Sequence, residues 1–392
     1  VEYGTIMSTC RRTFGIIGGG AIGWSIAYQL AKTRSDSSES IIVFDASLPG
    51  SSSWAGAGIL PPAPNIVSSD PLEALQRLSR SMMPQWSAEL KQWSGIDNEF
   101  HVCGGVYVAR SIGEQASLIG LRQFWSEVGI EGRPLSQECW SNRYPWFAKQ
   151  LPGQDCRLLF EVPDEAQLRN PRHLAALRAA SQKLGVEARQ LSPEQAARMV
   201  LTKECNIGPV LEWGTEEQWC CGQFVLAAGS WTTLLLQRWF GENKGTAAVF
   251  PVKGEMLLFK LPKPLFTQIL NVGTRYIVPR LDGHVLVGST EQEAGFHSEP
   301  TSDGRSQLIE FVEQTLPEIL QFELVQHWAG LRPASYDHMP IMGRLGRCPE
   351  LVIASGHFRS GLQWSIGSAL CIAAILRNET PPIDMRVFQP GR

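Results

Sequence analysis

The chain has 392 residues, of which 43% are hydrophobic, enough for two domains of ordinary size around a large core. Its 35 basic and 38 acidic residues nearly balance and form no long run, which excludes the basic face that nucleic acid or an anionic membrane surface requires. Nine cysteines without a Cys-x-x-Cys pair, and seven histidines without metal-ligand spacing, exclude a disulfide scaffold and a zinc module.

That cysteine usage points to a reduced intracellular protein. Arg11-Arg12-Thr13-Phe14 opens like a twin-arginine export signal. The apolar stretch behind it, residues 14–30, carries glycines whose motif cleavage would destroy, so a cytoplasmic location is expected. No apolar run reaches the ~20 residues a membrane-spanning helix needs.

Thr13–Ile17 reads as a short buried strand, residues 24–32 as a helix, and residues 41–44 as the next buried strand, ending at Asp45. Between the first strand and the helix, Gly18-Gly19-Gly20-Ala21-Ile22-Gly23 gives G-x-G-x-x-G, and Asp45 follows Gly23 by 22 residues. In that context the glycines admit a pyrophosphate to the helix N-terminus, and Asp45 accepts hydrogen bonds from the adenosine ribose. The fingerprint alone does not separate FAD from NAD. Residues 50–60 are small, polar and glycine-rich and then turn apolar. A loop of that kind suits a cofactor that continues past its pyrophosphate toward a flavin ring.

Further along, Asp70 caps a helix with Pro71 in its first turn and Glu73 near the capping-box position. Leu72, Leu75, Leu78, Met82, Trp86, Leu90 and Trp93 form its core stripe, and Pro84 is expected to kink it. Residues 102–109 read as a strand and 171–184 as a helix. Residues 224–231 read as a buried strand whose end, Ala227-Ala228-Gly229, lets a cofactor lie close. From Phe250 the pattern changes to short strands at 256–259, 276–279 and 284–288, with Asp282-Gly283 as a hairpin signal. This predicts an antiparallel sheet in a second domain.

Five further motifs occur in order: Pro251-Val252-Lys253-Gly254-Glu255, Tyr276-Ile277-Val278-Pro279-Arg280, Val287-Gly288-Ser289-Thr290, Trp328-Ala329-Gly330-Leu331-Arg332-Pro333 and Gly356-His357-Phe358-Arg359-Ser360-Gly361. With the fingerprint, they resemble the D-amino-acid oxidase family of flavoproteins over residues 13–375, and within it the branch that oxidises glycine. The resemblance implies an α/β FAD-binding domain of Rossmann type interleaved with an α+β substrate domain built on an antiparallel sheet. The FAD-binding domain would hold residues 1–95, 155–245 and 330–392, and the substrate domain 96–154 and 246–329.

The resemblance also assigns roles. Ala21, Ile22, Asp45, Ala46, Ser52, Ser53, Ala57, Gly58 and Ile59 would contact FAD, beside Gly18, Gly20, Gly23, Ala228 and Gly229. The turn His357, Phe358, Arg359, Ser360, Gly361, Leu362 and Gln363 would face the flavin pyrimidine edge, its helix dipole favouring reduced flavin. Arg332 would clamp the substrate carboxylate, a planar fork matching a planar anion. Tyr276 and Arg359 would line the same pocket. His338 and His357 are expected to be structural, because the amine loses its proton before hydride transfer and no side-chain base is required.

The chain departs from the family's pattern. Ala334-Ser335, residues 362–366 and residues 190–212 differ from it, so the adenine contact is not placed. Glu291 stands where an apolar pocket residue is expected, and a carboxylate there would favour a cationic amine or narrow the pocket. The last cysteine, Cys371, lies in an apolar helical stretch, which argues for non-covalent FAD. The implied reaction passes a hydride from the α-carbon of glycine or another small amino acid to flavin N5. It yields an imine and, with molecular oxygen, hydrogen peroxide; in thiamine (thiazole) synthesis the imine itself is used. A flavin dehydrogenase serving a quinone, a non-catalytic flavin-binding protein and an NAD-only dehydrogenase are the alternatives. No metal, nucleic-acid or integral-membrane partner is expected, and a homo-oligomer stays open.

Overall fold

Thr13–Ile17 is buried along its whole length and sits inside a six-stranded sheet. The order is Ile341–Leu345, Cys348–Ser355, Gln223–Leu226, Thr13–Ile17, Ser40–Asp45, Glu187–Gln190. All pairs are parallel except the first, an antiparallel hairpin. The computed structural model describes residues 13–34, 36, 38–145, 158–204, 208–212, 218–241 and 247–392.

Alternation along these strands divides the core. Phe14, Ile16, Ile41, Val43, Val225 and Val352 face one side, against the helices Ala21–Lys32, Pro71–Ser94, Asn170–Lys183 and Gly361–Leu376. Ile17, Ile42, Phe44, Phe224, Leu226 and Ile353 face the other, against Thr232–Phe240 and the three-stranded sheet Val200–Glu204, Gly208–Glu212, Gln218–Cys220. A sheet covered on both faces explains why its strands read as continuous apolar runs. Helix Gly361–Leu376 is buried on nearly all sides. It approaches Pro71–Ser94 so closely that a Cβ on Gly367 would lie 2.6 Å from Ser79 Oγ, to which Gly367 donates its N–H.

A second sheet has eight strands in the order Glu323–Ser335, Val249–Lys260, His284–Gly288, Arg275–Pro279, Ile269–Val272, Gly105–Ala109, Leu158–Val162, Arg133–Pro134. Its outer face (Val106, Val108, Leu257, Phe259, Ile277, Val285, Val287) packs on helix Ser302–Thr315 through Leu308, Phe311 and Val312. Each such fully buried side chain contributes about 1.5–3 kcal/mol relative to exposure. The alternate residues, among them Met256, Tyr276 and Tyr107, face the six-stranded half of the molecule and floor the cavity described below.

Several expectations change. The eight-stranded sheet is antiparallel except where Ile269–Val272 runs parallel to Gly105–Ala109. Leu158–Val162 and Glu323–Ser335 are hydrogen-bonded into this sheet. The strand at 102–109 breaks at Gly104, whose φ is +75°. Helix Pro71–Ser94 continues through Pro84, with Met83 buried where Met82 was expected and Trp93 exposed. Asp70 does cap it, accepting from Glu73 N at 2.9 Å. Cys220 is disulfide-bonded, against the expected reduced set.

Candidate active site

A cavity of about 1280 Å³ runs from the C-terminal ends of the parallel strands to the floor of the eight-stranded sheet. In an open α/β sheet this edge is where a dinucleotide lies. At one end it is lined by Gly18, Gly20, Ala21, Ile22, Asp45, Ala46, Ser52 and Ser53. Gly18 has φ +113°, and a Cβ there would fall 2.3 Å from the Ala227 carbonyl oxygen, so only glycine fits. Gly23 does not line the cavity. A Cβ on it would lie 1.9 Å from Gly18 O, so its lack of a side chain serves helix-to-strand packing. Asp45 Oδ1 accepts from Gly19 N at 3.2 Å and its Oδ2 from Ser47 Oγ at 3.2 Å. Leu191, Ala196 and Met199 close this end; they come from the stretch that motif reasoning left unplaced.

Two helix N-termini open on the cavity. Ala21–Lys32 has no capping side chain at Gly20 and no acid in its first turn, and Ser53 Oγ accepts from Ala21 N at 3.0 Å. Gly361–Leu376 likewise lacks both, and Ser360, Gly361, Leu362 and Gln363 all line the wall. Aligned dipoles at both places favour anionic or electron-rich groups. The cradle, the Asp45 carboxylate on its wall and this second N-terminus fit FAD, whose pyrophosphate and pyrimidine edge are such groups.

In the turn before the second helix, Phe358 is held at φ +46°, an uncommon conformation for a non-glycine residue. His357 and Arg359 line the cavity with it. His357 Nε2 lies 3.0 Å from Ser368 Oγ, and burial pushes the ring down to about 3, so it stays neutral. His338 packs on Phe358 with ring centroids 5.5 Å apart and does not line the cavity.

Ala57, Gly58, Ile59, Ala228 and Gly229 form the middle of the wall. Arg280 braces it from behind, donating through Nη1 to Gln167 Oε1 (2.7 Å) and Leu168 O (2.9 Å) and through Nη2 to Ala57 O (2.7 Å). Its burial lowers the guanidinium to about 10.

At the sheet end lies Arg332. Its guanidinium rests on Gly254, where a Cβ would meet Nη2 at 2.2 Å. It donates through Nη2 to Ser289 Oγ at 2.7 Å and through Nη1 to Thr290 O at 3.3 Å and Lys253 O at 3.4 Å. Among the described residues no carboxylate lies within ion-pair distance of it, and desolvation lowers its pKa. Tyr276 shares the cavity, its hydroxyl 3.8 Å from Met256 Sδ. Glu291 does not line the cavity. It pairs with Arg359, both side chains being exposed, and its charge also acts on Arg332.

Sequence reasoning missed three residues of this wall, Tyr107, Glu165 and Asn271. Nothing local marks them: Asp164-Glu165 reads as a polar turn between strands. They meet only through the sheet, where Asn271 pairs with Tyr107 on one side and Tyr276 on the other.

An FAD cradle at one end and, at the other, an arginine with no carboxylate partner among the described residues define a flavoenzyme that acts on a small acid. The family model "FAD dependent oxidoreductase" (DAO) matches residues 14–375, and the chain belongs to that family. Glycine oxidase of Pseudomonas putida is 32% identical over 384 residues, 96% of this chain and 97% of that protein. The bifunctional protein ThiO/ThiG of Trichormus variabilis is 27% identical over 94% of this chain and 53% of its own length. The crystal structure of glycine oxidase from Geobacillus kaustophilus superposes with a TM-score of 0.85 at 26% identity, covering 97% of this chain and 98% of that one. The chain is an FAD-dependent amino-acid oxidase.

Proposed function

We propose that the chain oxidises glycine or another small amino acid to its imine, with molecular oxygen reduced to hydrogen peroxide. The observation that carries this reading is the half-buried Arg332 guanidinium, desolvated on a cavity wall and without a carboxylate partner among the described residues. A substrate carboxylate supplies that partner through two charge-assisted hydrogen bonds. Ser289 Oγ and the carbonyls of Thr290 and Lys253 already hold the fork, so it is oriented before substrate arrives. FAD bound along the cradle supplies the two-electron acceptor. Neutral His357 adds no competing positive charge beside it, and the bare N-terminus of Gly361–Leu376 favours electron density there.

In this reading Gly18, Gly20, Ala21, Ile22, Asp45 and Ser53 hold the dinucleotide half and Arg332 and Tyr276 hold the amino acid. The six-stranded sheet forms the FAD-binding unit and the eight-stranded sheet the substrate unit. The likeness to glycine oxidases supports glycine, and the ThiO/ThiG relative supports a place in thiamine synthesis. Anaerobic addition of glycine to the yellow holoenzyme should bleach its visible absorbance, and oxygen should restore the colour with one peroxide per turnover. Restoration by a quinone but not by oxygen would make the enzyme a dehydrogenase.

A further inference from the structure

Glu165 is a fully buried carboxyl on the cavity wall that neither the clamp nor the cofactor cradle uses. Its Oε2 accepts from Asn271 Nδ2 at 3.2 Å and the Tyr107 hydroxyl interacts with the carboxyl, while Oε1 has no partner at hydrogen-bond geometry. The surroundings are shaped to it. Gly105 leaves the space, since a Cβ there would lie 1.6 Å from Oε2. The Glu165 backbone carbonyl accepts from Cys103 N (3.1 Å) and Gly104 N (2.9 Å), which fixes the turn. Tyr107 is stacked on Phe160 at 5.3 Å and set edge-on to Trp125 at 5.1 Å, so it does not swing away. Among the described residues no cation pairs with Glu165. Burial raises the carboxyl to about 8, so it rests neutral and ionises when a cation arrives.

The cluster lies on the same cross-strand row as the substrate pocket. Met256 pairs with Gly288, Gly288 with Tyr276, Tyr276 with Asn271 and Asn271 with Tyr107. The Arg332 guanidinium rests on Gly254, one same-face position along from Met256. From that strand to Asn271 is three strand spacings, ~14 Å, and the step from Met256 to Gly254 adds ~7 Å along the strand, so the two ends lie roughly 16 Å apart. Taking away a contact of ~2.8 Å at each end leaves roughly 10 Å. Glycine falls far short of this; a long, extended diamino acid such as lysine is needed to approach it.

We propose that Glu165, Tyr107 and Asn271 form a second polar subsite that takes the terminal amine of a diamino acid whose carboxylate is held by Arg332. The inference rests on the amino-acid oxidase reading and names a substrate class for the same cavity. An amine is the chemistry that fits, because an ammonium lets the carboxyl release its proton to solvent, donates to the otherwise unpartnered Oε1 and balances the charge that burial alone disfavours.

The test uses holoenzyme with lysine, in both configurations, against 2-aminoheptanoic acid, in which a methyl group replaces the terminal ammonium. Lysine should be preferred in kcat/KM, or in Kd from perturbation of the visible flavin spectrum, by about 10- to 100-fold, the worth of a hydrogen bond to a charged group. Glu165→Gln should bring that ratio near unity, and Tyr107→Phe should lower it in part, with FAD content and melting temperature checking the fold of each. No preference in the wild type overturns the subsite, as does a preference that survives Glu165→Gln. 6-Hydroxynorleucine matching lysine would assign a hydroxyl ligand and overturn the amine. If neither glycine nor lysine bleaches the flavin but lysine still binds better than its isostere through Glu165, the oxidase reading fails and the subsite stands.

Discussion

The two ends of the cavity are built from different materials. At the dinucleotide end the chain offers backbone: glycines, a bare helix N-terminus and one carboxylate, Asp45. At the sheet end it offers side chains, Arg332, Tyr276, Tyr107, Asn271 and Glu165, brought together from strands far apart in sequence. Backbone recognition tolerates no added side chain but needs few particular ones. Side-chain recognition is the reverse, and it sets which small molecule reacts. Substitutions at the first end should therefore act on cofactor content, and those at the second on substrate constants.

The largest effect expected is at the glycines, and it separates two of them. A Cβ on Gly20 would meet only Ser53 Oγ, at 3.0 Å, so Gly20→Val should fold but fill the pyrophosphate's place and yield colourless protein. Gly23→Ala should instead lower the melting temperature, because its Cβ would lie 1.9 Å from the Gly18 carbonyl oxygen. Absorbance near the flavin bands and thermal melts read the two outcomes apart. Yellow, active Gly20→Val would break the backbone account. In the wild type, acid precipitation should release FAD into the supernatant; colour left in the pellet would mean a covalent link.

At the other end, Arg332→Ala should keep FAD and the fold but raise KM for glycine by roughly 30-fold to several-thousand-fold. That corresponds to about 2–5 kcal/mol for a desolvated charge left unpaired. Arg332→Lys should recover only part of it, since an ammonium lacks the planar fork. Loss of flavin from Arg332→Ala, or an unchanged KM, would mean that the arginine is structural and that the two ends are not separable in this way.

The same contrast explains what the sequence disclosed. The glycine fingerprint was legible because backbone geometry ties residue type to position within a few residues: Gly18 at φ +113° and Gly23 against Gly18 O admit nothing larger. Arg332 was legible only through an ordered set of motifs, since a lone arginine carries no sign of burial. Glu165 was not legible, because its meaning depends on Asn271, 106 residues away, and on the Gly105 space beneath it. The pairing of Glu291 was not legible either, because its partner, Arg359, is 68 residues distant. Strand pairing across the chain, such as Leu158–Val162 with Gly105–Ala109, was not legible for a similar reason, since single-sequence periodicity does not show pairing.

Smaller effects should appear in pH dependence, with opposite signs at the two ends. His357, buried and lowered to about 3 from an ordinary value near 6.5, is neutral when folded and takes a proton when unfolded. Its contribution is present above pH 6.5 and is lost as pH falls toward 3. Glu165, raised to about 8 from near 4.5, contributes fully below 4.5 and loses that contribution as pH rises through 8. Melting temperature should therefore decline between pH 6.5 and 8 in the wild type, and Glu165→Gln should flatten that decline. His357→Gln should reduce the loss on the acid side. Identical pH profiles in the wild type and both variants would remove the electrostatic part of the contrast.

The smallest effect expected is at Glu291. Its ion pair with Arg359 bridges the end of strand His284–Gly288 and the turn before helix Gly361–Leu376, so it links the two halves at the cavity rim. Side-chain exposure is 47% for Glu291 and 41% for Arg359, and water screens a pair so placed. Glu291→Gln should cost no more than about 0–1 kcal/mol of stability by denaturant titration. If the carboxylate instead faced a bound amino acid, the same variant would shift KM for cationic substrates well beyond that scale while leaving neutral ones alone. Raising the ionic strength discriminates further. A rim pair weakens with salt, so wild type and Glu291→Gln should converge in stability at about 1 M, where the screening length is only ~3 Å. A difference that persists at high salt would place Glu291 in a drier setting and return it to the substrate wall beside Arg332 and Tyr276.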